Sequence, residues 1–137
     1  MCLNEKCCNY YTFLKFKMNT PKSYLSMYLR FINLIQAIRD LPTFPKIDPV
    51  EERLLNIFAI CWLKEQKLTV LEAMNMSPDV SPTTVHRRLK SLRSKGFIDL
   101  SVDAIDTRIK YIVPTMLTEQ YFTLMGKCLG DAMPETP

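Results

Sequence analysis

Glycine is scarce in this chain: Gly96, Gly126 and Gly130 are the only three in 137 residues. They are too few and too far apart for a phosphate-cradling loop, so neither the dinucleotide fingerprint nor the P-loop can be assembled. Histidine is scarcer still. His86 stands alone, without a second imidazole for a zinc site or a nucleophile and carboxylate for a triad, and this disfavours enzymes built on histidine. The five cysteines (Cys2, Cys7, Cys8, Cys61 and Cys128) are odd in number and form no pair of metal-binding doublets. Long apolar runs are missing as well. The best, Leu54 to Leu63, stops after ten residues and contains Asn56, well short of the roughly 18 of a membrane span. Glu5, Lys6 and Asn9 interrupt any signal-type apolar stretch, and no small-residue cleavage site follows. These absences predict a cytoplasmic protein with no enzymatic activity, no metal and no cofactor.

What is present is an ordinary globular composition, 47% apolar and 23% charged, in a length that suits one domain with appendages. The net charge of +4 is small, but its location is informative. Between Ser81 and Lys110 there are seven basic residues (Arg87, Arg88, Lys90, Arg93, Lys95, Arg108, Lys110) and three acidic ones (Asp99, Asp103, Asp106). With 18 basic and 14 acidic residues in all, the rest of the chain holds eleven of each sign. The whole excess lies on one segment. A basic patch of this kind is the electrostatic footprint of a polyanionic partner, with a solvated basic face as its alternative.

Residues 1–20 show no clear period and read as a loosely ordered arm. From Lys22 to Leu41 the apolar residues Tyr24, Tyr28, Phe31, Ile35 and Ile38 recur at helical spacing, widened by Leu25, Ile32 and Leu34, which predicts an amphipathic helix. Pro42 and Pro45 end it. Asp48-Pro49-Val50-Glu51 supplies a cap, a proline at the first helical position and acids for the positive end of the dipole. The helix it opens, to about Lys64, is apolar over much of its surface, as a buried central helix is. A short helix over Leu71–Met76 follows, closed by Ser77-Pro78-Asp79. Ser81-Pro82 starts another helix, which ends at Gly96. In it Val85, Leu89 and Leu92 form a narrow apolar stripe. At about 100° per residue Thr83, Arg87, Lys90 and Ser94 point away from that stripe, flanked by Thr84, His86 and Ser91. No acid occurs between Val80 and Ile98. Two β-type runs, Phe97–Val102 and Ile109–Val113, flank the polar segment Asp103–Arg108 and predict a hairpin. Thr115 to Leu129 reads as a final amphipathic helix, with Leu117, Tyr121, Leu124, Met125 and Cys128 on one face.

Helix, short helix, turn, basic helix and hairpin are the elements of a winged helix-turn-helix, and the residues resemble the MarR-type transcriptional regulators. Ser81 through Phe97-Ile98, with its cap, its Val85/Leu89/Leu92 stripe and its terminal Gly96, is similar to that family's recognition helix. Asp106-x-Arg108, the alternating apolar residues after it and Thr115 are similar to the family's wing and the start of its next helix. The resemblance spans about Asp48 to Thr118. It departs at Pro114, where an apolar residue usually precedes the threonine, and at Tyr121 or Phe122, where a glycine is usual. It implies a mainly α (α+β) fold, a winged helix-turn-helix with a two-stranded β-wing and flanking N- and C-terminal dimerisation helices. It further implies double-stranded DNA as partner, a homodimer and a small-molecule effector. The corresponding units are the arm 1–20, a dimerisation helix and connector 21–47, a DNA-binding unit 48–115 and a dimerisation helix with tail 116–137.

On this reading the candidate DNA-binding residues are Ser81, Thr83, Thr84, His86, Arg87, Lys90, Ser91, Arg93, Lys95, Arg108 and Lys110. Thr83, Thr84, His86, Arg87 and Lys90 are placed to meet base edges in the major groove, Arg87 best suited to guanine. Arg93 and Lys95 lie further along and are expected at phosphates. Arg108 either enters a minor groove or bonds Asp106 to shape the hairpin, and the two roles are compatible. Trp62, Tyr24 and Tyr28 are the aromatic side chains available for an effector pocket, with core packing as the plainer alternative. Cys2, Cys7 and Cys8 are either redox-sensing or unremarkable terminal thiols. The rival functions are a winged-helix protein–protein interaction module and a replication or plasmid-maintenance DNA-binding protein. The acid-free run Ser81–Ile98 favours DNA over the first and does not separate the second. Binding to duplex DNA is expected to be steeply salt-dependent: with about six phosphates neutralised per dimer, log K against log salt falls with a slope near −5. A measured slope shallower than about −2 removes the basic segment from the interface.

Overall fold

A computed structural model of the chain describes residues 22–133. The elements run α1 (Lys22–Arg39), α2 (Pro49–Leu63), α3 (Val70–Asn75), α4 (Pro82–Ser94), β1 (Ile98–Val102), β2 (Lys110–Pro114) and α5 (Met116–Ala132). The fold is mainly α with a small antiparallel β-wing. The arm expected at 1–20, with Cys2, Cys7 and Cys8, lies outside the described residues.

The helix starts are encoded locally. Asp48 Oδ1 accepts the amides of Val50 and Glu51, each at 2.9 Å, while Glu51 Oε2 accepts the Asp48 amide at 2.9 Å. This reciprocal box satisfies donors that the first turn of α2 leaves open. Thr69 and Glu72 form the same box at α3, which therefore starts at Val70 and ends at Asn75, one residue before the expected span at each end. Ser81 caps α4 and Thr115 caps α5. After α4 the chain must reverse into the wing, and Gly96 does so at φ +84°, a conformation that costs a residue with a Cβ about 1–2 kcal/mol.

Strands β1 and β2 pair in the register Ile98↔Pro114, Leu100↔Ile112 and Val102↔Lys110. The hairpin has a further neighbour that the sequence pattern does not reveal. The connector before α3 bridges to it at Thr69↔Tyr111, and the Ile112 amide donates to the Leu68 carbonyl at 2.8 Å. The base of the wing is closed by threonines. The Thr115 hydroxyl donates to the Gly96 carbonyl at 2.6 Å, and that of Thr118 to the Phe97 carbonyl.

The core gathers Leu54, Leu55 and Phe58 of α2, Val85, Leu89 and Leu92 of α4, and Phe97, Ile98 and Ile112 of the wing. Tyr121 of α5 stands edge-on to Phe44 and to Phe97, with ring centroids 5.3 and 5.6 Å away. Phe31, Leu34, Ile35 and Ile38 turn α1 onto this core, and α1 packs along α5. Helix α2 is buried along Leu54, Leu55, Phe58 and Cys61, with Ile60 and Leu63 on its solvent side. One expectation is corrected. Helix α5 continues past Leu129 to Ala132, because Cys128 and Ala132, one turn apart, are both buried and extend its packing face through Gly130.

A second apolar stripe on α1 finds no cover among the described residues. Tyr24, Leu25, Tyr28, Leu29 and Ile32 are 42–61% exposed and are rotated by roughly 100° from the core-facing residues. No helix among the described residues is long and apolar enough to cross a membrane.

Candidate nucleic-acid interface

The surface in question is built on α4, and the rotation of each residue about the helix axis decides its role. Val85, Leu89 and Leu92 are buried. Diametrically opposite them, Thr83, Arg87, Lys90 and Ser94 are exposed. Arg87, Lys90 and Lys110 take part in no salt bridge among the described residues, so their charges face outward without internal compensation. Ser81 and His86 are exposed at the start of the same helix, and Thr84 is half-buried beside the Ser81 hydroxyl at 2.9 Å.

The two flanks of α4 differ. One faces the wing. Arg93 Nε lies 3.3 Å from Asp99 Oδ1 of β1, an exposed pair of small energetic weight. On the wing itself Arg108 grips Asp106 in a two-pronged contact, Nε to Oδ1 and Nη2 to Oδ2, each at 3.1 Å. The Arg108 side chain nonetheless remains 89% exposed, so the bond shapes the hairpin and leaves the guanidinium at the surface. Asp103 organises the rest of the turn by accepting the amides of Ile105 and Asp106 and the Tyr111 hydroxyl. These bonds hold the Asp103 carboxyl below the usual carboxylate range, chiefly those from the Asp106 and Ile105 amides. Between α3, this flank and the wing lies an open groove of about 890 Å³. Met74, Leu89, Ile98 and Leu100 line it, with His86, Lys90 and Lys110 among its polar residues.

The other flank faces α2. The ammonium of Lys95, a residue expected at phosphate, lies 2.6 Å from Glu51 Oε2, and Glu51 has no exposed surface. Ser91, assigned to the same outward surface, is half-buried beside that carboxyl. The reason is rotational: Arg88, Ser91 and Lys95 recur at i, i+3 and i+7 on the α2 side. Arg88, which the candidate set omitted, lies 2.7 Å from Asp48 Oδ2 on the same flank. Sequence counting treats all basic residues of α4 alike; only the position of α2 shows that two of them point inward.

Trp62, Tyr24 and Tyr28 do not converge. The Trp62 indole donates to the Ile112 carbonyl at 3.0 Å, and the cavity beside it, about 580 Å³ against the wing, includes neither tyrosine. Both tyrosines stand exposed on α1. No group of three or more His, Cys, Asp or Glu side chains converges as a metal site among the described residues.

A helix-turn-helix of α3 and α4, a two-stranded wing after it and long helices on either side make a winged helix-turn-helix fold, the architecture of the MarR-type regulators. Two solved structures share it. One is the transcriptional regulator Tm0710 from Thermotoga maritima (TM-score 0.53, 15% identity, over 77% of this chain and 66% of that one). The other is the heme sensor protein PefR from Streptococcus agalactiae in complex with heme (TM-score 0.52, 17% identity, over 93% of this chain and 76% of that one). This chain therefore spans slightly less than two thirds of the length of Tm0710. No protein-family model matches the sequence, and no curated protein shows significant similarity to it.

The buried pair makes a prediction about stability and pH. Burial opposes ionisation of Glu51, but Lys95 and the Asp48 amide, with Ser91 beside the carboxyl, outweigh it and hold the carboxyl below the usual glutamate range. A carboxyl with a lowered folded pKa adds stability that is complete above its unfolded value and disappears as pH falls through the folded one. Glu51→Gln is expected to cost about 2 kcal/mol at pH 7. Urea unfolding of both proteins from pH 7 down to pH 3 is expected to show the difference shrinking below the ordinary glutamate range. A pH-independent difference would show that the carboxylate charge is not what binds α2 to α4.

Proposed function

We propose that this protein is a sequence-specific double-stranded DNA-binding transcriptional regulator that acts as a homodimer. In this reading residues 48–115 form the DNA-binding unit and α1 and α5 the dimerisation unit. Helix α4 enters the major groove while the wing over 103–108 lies at the backbone or in the minor groove. The observation that carries it is the outward face of α4, where exposed Thr83, Arg87 and Lys90 form a basic, hydrogen-bonding surface with no acid from Ser81 to Phe97. A helix with such a face, capped at its free end and backed by a hairpin, matches the dimensions of the B-DNA major groove. Thr83, Thr84, His86, Arg87 and Lys90 are assigned to base edges, and Ser81, Arg93, Arg108 and Lys110 to phosphates or the minor groove. The proximity to DNA that this function requires is a cytoplasmic, nucleoid-associated one. For an effector the reading favours an amphipathic anion in the groove between α3, α4 and the wing, whose apolar floor and basic rim suit such a molecule and whose occupation would compete with the duplex.

Selection of bound sequences from a random duplex pool at fixed salt tests the assignment. Arg87→Ala is expected to cost about 1–3 kcal/mol on the selected site and to relax preference at one position. If specific and non-specific binding fall by the same factor, α4 does not read bases and the interaction-module alternative gains. The uncovered α1 stripe supports the dimer, since an apolar strip of this kind is stable when two copies bury it across a two-fold axis. Sedimentation is expected to give a dimer at tens of micromolar, and selected half-sites to lie about one helical turn (~10 bp) apart. A monomer at that concentration would remove both.

A further inference from the structure

The first turn of α2 holds three carboxylates, and each is committed to a different neighbour. Asp48 binds Arg88 and Glu51 binds Lys95, both on α4. Glu52 points the other way and pairs with Arg39 at the end of α1, next to the Tyr121 ring of α5. Successive helical residues diverge by about 100°, so a single turn faces the recognition helix with one acid and the flanking helices with the next.

An ion pair with a buried carboxylate is an indifferent way to add stability, because a well-packed apolar pair does as well. What it adds is direction. The Glu51 carboxylate is already fixed by the Asp48 amide, so the 2.6 Å contact to Lys95 defines where the end of α4 must lie. The apolar stripe of α4 is only three residues wide and does not by itself resist rotation about the helix axis. Arg88 and Lys95, almost two turns apart on the same flank, do.

We propose that this turn of α2 sets the pitch of the recognition helix. Glu51–Lys95 and Asp48–Arg88 hold α4 about its long axis, and Glu52–Arg39 holds the same turn against α1. Lys95, Glu51 and Arg39 are thus positioning residues for duplex recognition, although none of them meets DNA. The proposal rests on α4 being the DNA-reading helix of a dimer. In a two-fold dimer the pitch of α4 relative to α1 sets the separation of the two recognition helices, so the property it governs is tolerance of half-site spacing.

The test uses the full chain and a site selected by the wild-type protein from a random duplex pool. If the wild type selects no duplex, the function proposed above has failed before any variant is compared. Affinity is then measured for the selected site and for the same site with one base pair added between its half-sites, at two salt concentrations. The wild type is expected to discriminate strongly between them. Lys95→Met and Glu51→Gln are each expected to reduce that discrimination at least fivefold, and the double variant no more than either single one. Lys95→Arg is expected to restore most of it, and Arg39→Met, on a partly exposed pair and suited to keeping the fold, to shift it in the same direction. The salt dependence is expected to stay unchanged throughout. The proposal is overturned if Lys95→Met lowers the salt slope by about one unit per protomer while Glu51→Gln is silent, because Lys95 is then a phosphate contact. It is also overturned if all duplexes weaken equally with discrimination intact, because the pairs are then merely structural.

Discussion

A glutamate without solvent exposure ties the start of α2 to the end of the basic helix α4. Glu51 closes the first turn of α2 by accepting the Asp48 amide and, with the same oxygen, accepts Lys95 from the end of α4. A carboxylate in that position is tolerable because the open amides and positive dipole of a helix start already favour negative charge there. The capping box thus does two tasks with one set of atoms: it starts the central helix and gives the basic helix a fixed point. Lost partners would leave a buried charge, which is why this contact outweighs the exposed pairs at Arg93 and Arg108.

Around that joint the hydrophobic core distributes its roles unevenly. Helix α4 contributes a thin edge of Val85, Leu89 and Leu92 and keeps the rest of its surface polar. Tyr121 fills the space where Phe44, Phe97 and Phe122 meet, in edge-on arrangements that suit aromatic quadrupoles. Burial raises the pKa of its hydroxyl, with Glu52 adding to the effect, so the ring is neutral throughout the physiological range. Through this ring α5 meets the residues at the base of the wing. Outside this core α1 splits its apolar residues into two stripes, one used within the chain and one turned to solvent.

Most of the fold was legible because its punctuation is local. Asp48-Pro49, Ser81-Pro82, Gly96 and Thr115 mark helix ends by side-chain chemistry that needs no distant partner, and the elements begin or end where those residues stand. The outward face of α4 was equally legible, since periodicity alone places Thr83, Arg87 and Lys90 opposite Val85, Leu89 and Leu92. What periodicity leaves open is what packs beside a helix. Ser91 and Lys95 read as interface residues because α4 itself carries no acid, while Glu51, the partner of Lys95, lies 44 positions away. The same holds for the third neighbour of the hairpin at Leu68 and Thr69, and for the solvent side of α2, where Ile60 and Leu63 look like core by composition. The final turn of α5 was missed for a different reason: Gly130 is a plausible stop, and only the burial of Ala132 shows why the helix continues.

The wing is pinned at its root and loose at its tip, and this has a bearing on how the chain can change over generations. Its stem is held by the Leu68 carbonyl on one side and by the hydroxyls of Thr115 and Thr118 at the base. The turn over 103–108 is organised by its own aspartates, and Ile105 at its apex is 96% exposed. Residues inserted or removed in that turn alter no contact of the core, since all of its bonds close within the hairpin. The length of the wing is therefore free to drift while the helices stay as they are, and related chains can acquire new reach there without relearning how to fold.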